Sequence, residues 1–228
     1  MPLNTDLDLP IFLAYSVLFL LATFLLGSIP FGRIIGHWVS GIDVTQRGSG
    51  NIGATNVARI IGLKWGLLTL LLDGLKGFLP LFICALLFPQ SEAIPALTGL
   101  SALLGHQYSI YLRFRGGKGF ATALGVYLAL SPPACLISLL VFVITVYGWR
   151  YVSVGSMVSS CFVPLMLLVL GESSGEIAVT LIMAVLICVN HRDNLYRLAQ
   201  GQERKWGEKT LRREDPEDVP APHGNKTR

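Results

Sequence analysis

The chain alternates between long apolar stretches and short polar segments. A hydrocarbon core of about 30 Å needs about 20 helical residues per crossing, and this pattern predicts an all-α integral membrane protein with seven transmembrane helices, two of them short. Only 14% of residues are charged and 52% are apolar, whereas soluble proteins carry roughly 25% charged residues. The predicted spans lie near residues 10–31, 61–88, 93–112, 120–131, 133–149, 154–171 and 176–190.

Basic residues set the predicted orientation. All 18 Lys and Arg residues fall within 33–76, 113–118, at 150 and within 192–228. By the positive-inside rule, this distribution places the N-terminus outside, the C-terminus in the cytoplasm, and an odd number of crossings between them. The Ser131-Pro132-Pro133 segment is compatible with a turn or with a kink. A turn there keeps the basic segments on one side of the membrane.

One domain is predicted, followed by a tail. Residues 1–198 form a single multispan domain, and residues 199–228 form a polar cytoplasmic tail, interpreted as a short helix with a disordered end. The first span is expected to remain in the mature protein, because the ten residues before it lack a positive n-region and include Asp6 and Asp8.

Two glycine-rich, basic segments interrupt the apolar pattern. Residues 48–59 read GSGNIGATNVAR and residues 114–122 read FRGGKGFAT. Glycines let backbone N–H groups approach an anion closely, while hydroxyl, amide and cationic side chains bind phosphate. Neither segment is a Walker loop, because Leu112 stands where that pattern requires glycine before Lys118. A phosphate-binding site at a membrane surface is therefore predicted, with no nucleotide or nucleic acid as partner.

The basic residues are not equivalent. Arg59 and Lys118 lie among glycines and small polar residues, which anion binding requires and topology does not. For four other arginines, contact with anionic lipid headgroups is as good an explanation as a role in the site: Arg113, Arg115, Arg192 and Arg197.

Several other polar residues favour structural roles. Asp73 and Lys76 share a helix face at i, i+3 and are interpreted as an ion pair, with a substrate role as the alternative. His106 is interpreted as a packed helix contact. The four cysteines lie in apolar stretches without C-x2-C spacing, so neither disulfides nor metal ligands are expected. No cofactor and no catalytic metal are expected.

Four motifs resemble those of a known family. The GSGNIGATN run, GGKG after Gly105-His106, the segment from Arg150 to Ser153 and the segment from His191 to Asn194 closely resemble the bacterial membrane acyl-phosphate:glycerol-3-phosphate acyltransferases. The likeness runs from Gly27 to the start of the tail. Ile52 and Arg115 are small departures, at positions where proline and lysine are common.

The resemblance implies a fatty acyl transfer from acyl phosphate to the sn-1 hydroxyl of glycerol 3-phosphate, in the bacterial inner membrane with the site facing the cytoplasm. The products would be lysophosphatidic acid and inorganic phosphate. The chain has no H-x4-D pair and no G-x-S-x-G elbow, which an already activated acyl phosphate makes less necessary. Membrane lipids surround the enzyme, and the soluble enzyme that makes the acyl phosphate is a further candidate partner.

The family site maps onto this chain residue by residue. For catalysis and for holding glycerol 3-phosphate, the resemblance implies Arg59, Lys118, Ser153, His191 and Asn194. It also implies Ser49, Asn51, Thr55 and Asn56 as substrate-binding residues. We expect the hydroxyls and backbone amides from Ser49 to Thr55, including Gly53, together with Gly116 and Gly117, to bind the acyl phosphate. No carboxylate lies in these motifs, so a phosphate oxygen of the donor is expected to accept the hydroxyl proton.

Two other functions compete with this interpretation. An anion or lipid transporter would place polar groups near the bilayer midplane and often shows inverted repeats, whereas the polar signal here lies on one predicted face. A metal-dependent phosphatidyl-alcohol transferase would need clustered aspartates, and Asp73 is the only aspartate within a predicted span. Adding EDTA during turnover separates the two enzymes.

Cysteine labelling tests the predicted topology. A cysteine introduced within 1–8 or 90–94 should react with a membrane-impermeant reagent in intact cells, because both segments are predicted to lie outside. A cysteine within 205–220 should react only after permeabilisation. Equal accessibility of both termini would contradict seven crossings.

Overall fold

The computed structural model describes residues 9–91 and 93–208, and all regular structure in this part of the chain is helical. Within these described residues, a single 3₁₀ turn, Ile110–Leu112, accompanies ten α-helices. In chain order these are α1 (Leu9–Gly27), α2 (Phe31–Ser40), α3 (Ala54–Ile61), α4 (Leu63–Leu87), α5 (Ala93–Gln107), α6 (Phe120–Leu130), α7 (Pro132–Trp149), α8 (Val152–Leu170), α9 (Ser174–Asn190) and α10 (Arg192–Ala199).

The predicted all-helical class is confirmed, while the number of crossings stays a prediction. By length and composition, four segments can span a membrane: 9–40, which combines α1 and α2, and the helices α4, α7 and α8. The pair α9 and α10, bent by 53°, makes a fifth if it forms one span. Helices α5 and α6 occupy predicted spans but have only 15 and 11 residues. The predictions for residues 1–8 and for the tail beyond 208 lie outside the described residues.

Glycines bring α4 and α6 into close contact. A Cβ atom at Gly125 would lie 1.9 Å from the carbonyl oxygen of Gly74, and one at Gly77 would lie 2.1 Å from that of Thr122. Small residues allow helix backbones to approach closely within a membrane protein. The packing sets the start of α6 beside α4, where both helices line the cavity described below.

The apolar core lies between α4, α5, α6, α8 and α9, around Leu103, Val126, Tyr127 and Met183. Ser131 is a non-helical residue between α6 and α7, so the Ser-Pro-Pro segment ends one helix and begins the next. The polar motifs lie in the connections that follow α2, α5 and α9 and at the start of α8, and all four places contribute residues to the same cavity.

Candidate functional site

A cavity of about 450 Å³ is lined by both polar and apolar side chains. Its polar part, here called the polar end, is joined by hydrogen bonds among Lys118, Asn194, Ser153 and Glu203, and its apolar part is called the apolar end. The apolar end is lined by Leu67 and Leu70 of α4, Leu124 of α6, and Phe142 of α7. At the polar end lie all five residues for which catalytic roles are predicted: Arg59, Lys118, Ser153, His191 and Asn194. These residues come from four segments far apart in sequence, so the fold brings the predicted set together.

Asn56 organises the loop between α2 and α3. Its Oδ1 accepts the N–H of Ser49 at 2.8 Å, and its Nδ2 donates to the carbonyls of Val44, Arg47 and Asn51 at 2.8–3.2 Å. Gly48 is left-handed, and a Cβ there would lie 2.3 Å from the same Oδ1. The side chain of Asn56, predicted to contact substrate, is therefore committed to shaping the loop.

The N-terminus of α3 faces the cavity. Asn51 Oδ1 accepts the N–H of Gly53 at 2.7 Å, which sets the chain at the start of the helix. Gly53, Thr55 and Ser49 all line the polar end. The first N–H groups of a helix have no intrahelical acceptor, and the helix dipole favours an anion there. The part of the polar end beside the N-terminus of α3, here called the α3 corner, can therefore bind a phosphate.

The structure requires a correction for Gly116 and Gly117, whose backbone amides are predicted to bind the acyl phosphate. Gly116 N–H donates to Gln107 O and Gly117 N–H to His106 O, both at 3.0 Å, so neither amide is free for substrate. A Cβ at Gly116 would lie 2.0 Å from His106 O. The two glycines are needed for close packing against the end of α5.

Lys118 follows these glycines and points into the cavity, where its Nζ donates to Asn194 Oδ1. Burial lowers the pKa of this ammonium from its ordinary value to about 8, although the nearby Glu203 charge acts in the opposite direction. Burial also lowers the pKa of Arg59. Arg59 forms no ion pair within residues 9–91 and 93–208, so its charge is available to an anion.

His191 has a defined tautomer. Its Nδ1 lies 2.8 Å from the carbonyl oxygen of Ile187, and since a carbonyl can only accept, the proton is on Nδ1. Nε2 is then the unprotonated nitrogen. Burial, together with repulsion from Lys118, lowers the pKa of His191 to about 4, so the imidazole is neutral at physiological pH.

Glu203 joins α8 and α10 at the site, and no sequence motif indicates it. Its Oε1 accepts from Ser153 Oγ at 2.7 Å and from Asn194 Nδ2 at 2.6 Å. Its Oε2 pairs with Arg197 Nε at 2.9 Å. Burial alone would raise the pKa of Glu203, but these three hydrogen bonds together hold the pKa below its ordinary value. Glu203 is therefore an ionised acceptor with its oxygens occupied.

The structure decides between two roles for Arg197 and adds contacts for the start of the tail. Arg197, for which a lipid contact is one of two sequence interpretations, lines the cavity and pairs with Glu203. Residues 201–208 begin the predicted polar tail, and this segment folds back over the site. Trp206 N–H donates to Arg150 O at 2.6 Å, and Arg150 Nη2 donates to Trp206 O at 3.0 Å.

The predicted ion pair of α4 is confirmed. Lys76 Nζ lies 2.9 Å from Asp73 Oδ1, and both side chains are buried. His106 Nδ1 lies 3.7 Å from the same carboxylate oxygen. Asp73 and His106 also line the cavity, which an interpretation of both as purely structural contacts does not predict.

Comparisons with known proteins agree in family and fold. A family model described as glycerol-3-phosphate acyltransferase matches residues 17–201. A protein of that name from Desulfotalea psychrophila is 50% identical over 195 residues, which cover 84% of this chain and 98% of the relative. Another from Aquifex aeolicus is 42% identical over 184 residues, with coverages of 80% and 95%.

Solved structures give the same relationship. The crystal structure of PlsY (YgiH), an integral membrane glycerol 3-phosphate acyltransferase, matches with a TM-score of 0.81 in its glycerol 3-phosphate form. The lysophosphatidic acid form matches with a TM-score of 0.80. In both, sequence identity is 40%, and the match covers 85% of this chain and 96% of the other.

Replacing Glu203 tests its role in stability. Glu203→Ala removes two charge-assisted hydrogen bonds and the ion pair with Arg197, so the free energy of unfolding should fall by about 2–3 kcal/mol. Chemical unfolding in detergent measures this change, and trypsin should cleave faster after Arg204. Glu208→Ala is the matched control, because its carboxylate accepts only an exposed backbone bond from Lys205. Equal stabilities of the two variants would contradict the assigned role.

Proposed function

This chain belongs to the glycerol-3-phosphate acyltransferase family of integral membrane proteins, and we propose that it transfers a fatty acyl group from acyl phosphate to the sn-1 hydroxyl of glycerol 3-phosphate. The products are lysophosphatidic acid and inorganic phosphate, which makes this the first acylation of phospholipid synthesis. The observation that carries the proposal is the cavity, in which Arg59 and Lys118 lie at one end and apolar side chains at the other.

The acceptor would bind at the Lys118 side of the polar end. Glycerol 3-phosphate is a dianion with two hydroxyl groups, and cations with neutral polar groups around them suit it. Lys118 and Arg59 would neutralise the phosphate, while Ser153, His191 and Asn194 supply hydrogen-bonding atoms. The glycerol 3-phosphate and lysophosphatidic acid in the related PlsY structures support an acceptor and a product of this chemistry.

The donor phosphate would bind at the start of α3. Ser49, Asn51 and Thr55 surround a helix N-terminus there, and backbone N–H groups with the helix dipole favour an anion. From that corner the acyl chain would run into the apolar end, along Leu67 and Phe142. A phosphate at one corner and an acyl tail in the apolar end together describe a fatty acyl phosphate.

The proposed reaction needs no acyl-enzyme. The sn-1 hydroxyl oxygen attacks the acyl carbonyl carbon, the bond from that carbon to the phosphate oxygen breaks, and the departing phosphate takes the hydroxyl proton. Two observations favour this substrate-assisted route. Glu203 has its oxygens occupied by Ser153, Asn194 and Arg197. His191, with its pKa lowered to about 4 by burial, is a weak base at neutral pH.

The protein would therefore act mainly through positioning and electrostatics. Two phosphorylated substrates repel each other, and holding both beside cations in a partly buried site offsets that repulsion. The basic segments predict that this site faces the cytoplasm from the bacterial inner membrane. A soluble enzyme that makes the acyl phosphate could then deliver it directly to that face.

Turnover of defined substrates tests the function. The purified protein, reconstituted in lipid, should convert palmitoyl phosphate and labelled glycerol 3-phosphate to lysophosphatidic acid with EDTA present. Palmitoyl-CoA should give no product, because the chain lacks the residues used to activate thioester transfer. Efficient thioester use or a strict metal requirement would contradict the proposal, and transport without product would favour a transporter.

Lys118 is the most informative residue for the mechanism. Lys118→Ala should lower kcat/KM by about 100- to 1,000-fold, by comparison with other lost electrostatic donors. Lys118→Arg should recover only part of the activity, since a planar guanidinium does not replace a compact ammonium. Arg115→Ala is the matched control, because Arg115 is exposed on the same loop. Near-normal turnover of folded Lys118→Ala would show that the loop is only structural.

The pKa of Lys118 predicts an alkaline limit. Because burial lowers this pKa to about 8, the ammonium is present below that pH and is lost as pH rises through it. The kcat/KM for glycerol 3-phosphate, which reports the free enzyme, should then fall about tenfold per pH unit above pH about 8. In Lys118→Arg this decrease above pH about 8 should be absent, since a guanidinium stays charged. A wild-type profile that is flat to about pH 10 would contradict the assignment.

A further inference from the structure

Beneath the polar end lies a buried polar cluster that the proposed mechanism does not use. Asp73, Lys76 and His106 are each at most 2% exposed. Asp73 Oδ1 lies 2.9 Å from Lys76 Nζ and 3.7 Å from His106 Nδ1. Lys76 Nζ also donates to the carbonyl oxygen of Ile29 at 2.9 Å. The contacts therefore connect the α1–α2 junction, α4 and α5.

The cluster reaches the Lys118 loop through the imidazole of His106. The nearest atom to a Cβ built on Gly117 is His106 Nε2, at 2.1 Å, so the ring edge lies directly against the loop backbone. On the other side of this ring, Nδ1 faces Asp73. Gly117 N–H also donates to the backbone carbonyl of His106. His106 Nδ1 therefore lies beside the ion pair, at 3.7 Å from Asp73 Oδ1, while the other edge of the ring contacts the loop.

A contribution to the stability of the helix bundle does not explain why three ionisable groups are buried together. Ionisable groups within a membrane protein are costly, and a buried ion pair is often no more stabilising than apolar residues of similar volume. A role that depends on geometry explains why three ionisable groups lie beside the cavity. The position of the ring against Gly117 is the feature that apolar packing would not reproduce, because a flexible side chain would let the loop move.

We propose that His106, oriented by Asp73 and Lys76, is a positioning residue that sets the place of the Gly116–Lys118 loop and hence of the Lys118 ammonium. The inference rests on the proposed function, in which that ammonium binds glycerol 3-phosphate. His106 acts through the loop and not on the reacting atoms. Movement of Gly117 toward a vacated ring would carry Lys118 away from Asn194, its partner in the cavity.

Steady-state kinetics with two single variants and their double variant tests the proposal. His106→Leu and Gly117→Ala should each lower kcat/KM for glycerol 3-phosphate by about 10- to 100-fold, the effect of a displacement of about 1 Å. The loss should appear mainly in the KM for glycerol 3-phosphate, with the KM for palmitoyl phosphate little changed. In the double variant the loss should be clearly smaller than the product of the two single losses, because both act on one loop.

Ser101→Ala is the matched control. Ser101 lies on the same helix and donates to Leu20 O at 2.7 Å, away from the loop. Its replacement should lower the unfolding temperature but leave both KM values within about twofold. If His106→Leu behaved like this control, or if the losses in the double variant simply multiplied, the cluster would be structural and the proposal would be wrong.

A readout without turnover separates this proposal from the proposed function. In a Lys118→Cys variant, a small water-soluble thiol reagent should modify position 118 faster when His106→Leu is added, because the loop is displaced. Unchanged labelling would overturn the positioning role even in an active enzyme. If wild-type protein makes no lysophosphatidic acid but the labelling rate changes, the proposed function fails and the positioning of the loop stands. Should His106→Leu not fold, His106→Asn replaces it in the same measurements.

Discussion

The polar end of this protein depends on a balance of charge around Glu203. Arg59, Lys118, Arg197 and Arg204 all line one cavity, and without a counter-charge their mutual repulsion would oppose bringing α3, the Lys118 loop and α10 together at that cavity. Glu203 supplies that charge, and its bonds to Ser153, Asn194 and Arg197 hold α8 and α10 together. Because the carboxylate is occupied and ionised, it supports a cationic site without adding a base to it.

Much of this architecture follows from the sequence because the signals are local. An apolar stretch long enough for a helix specifies its own secondary structure, and the i, i+3 spacing of Asp73 and Lys76 specifies their ion pair. The five predicted catalytic residues also converge, because the loops that carry them lie at one end of the bundle. The helices and the ion pair need only the helix period, whereas the choice of the five residues comes from the family resemblance.

The features that sequence reasoning missed depend on non-local contacts. In the sequence, Glu203 resembles an ordinary charge of a polar tail, and Arg197 resembles a lipid contact. Nothing nearby in sequence indicates that the tail folds back onto Arg150 and Ser153. A glycine near an anion site can bind the anion or allow backbone packing, and the sequence does not distinguish these roles. For Gly116 and Gly117 the deciding fact is the position of α5. The one available signal for Glu203 was the excess of cations over acids among the motifs.

The apolar end of the cavity bears on how a lipid product leaves the site. Leu67, Leu70 and Leu139 line it, and each is at least 39% exposed, so the cavity is open at this end. The helices that carry them, α4 and α7, are candidate membrane spans, so an apolar opening between them would face lipid. A single-chain lipid made here could move sideways into the bilayer with its tail in hydrocarbon throughout, so its departure is diffusion in two dimensions. Only glycerol 3-phosphate and inorganic phosphate, which are water-soluble, need to pass through the polar end of the cavity.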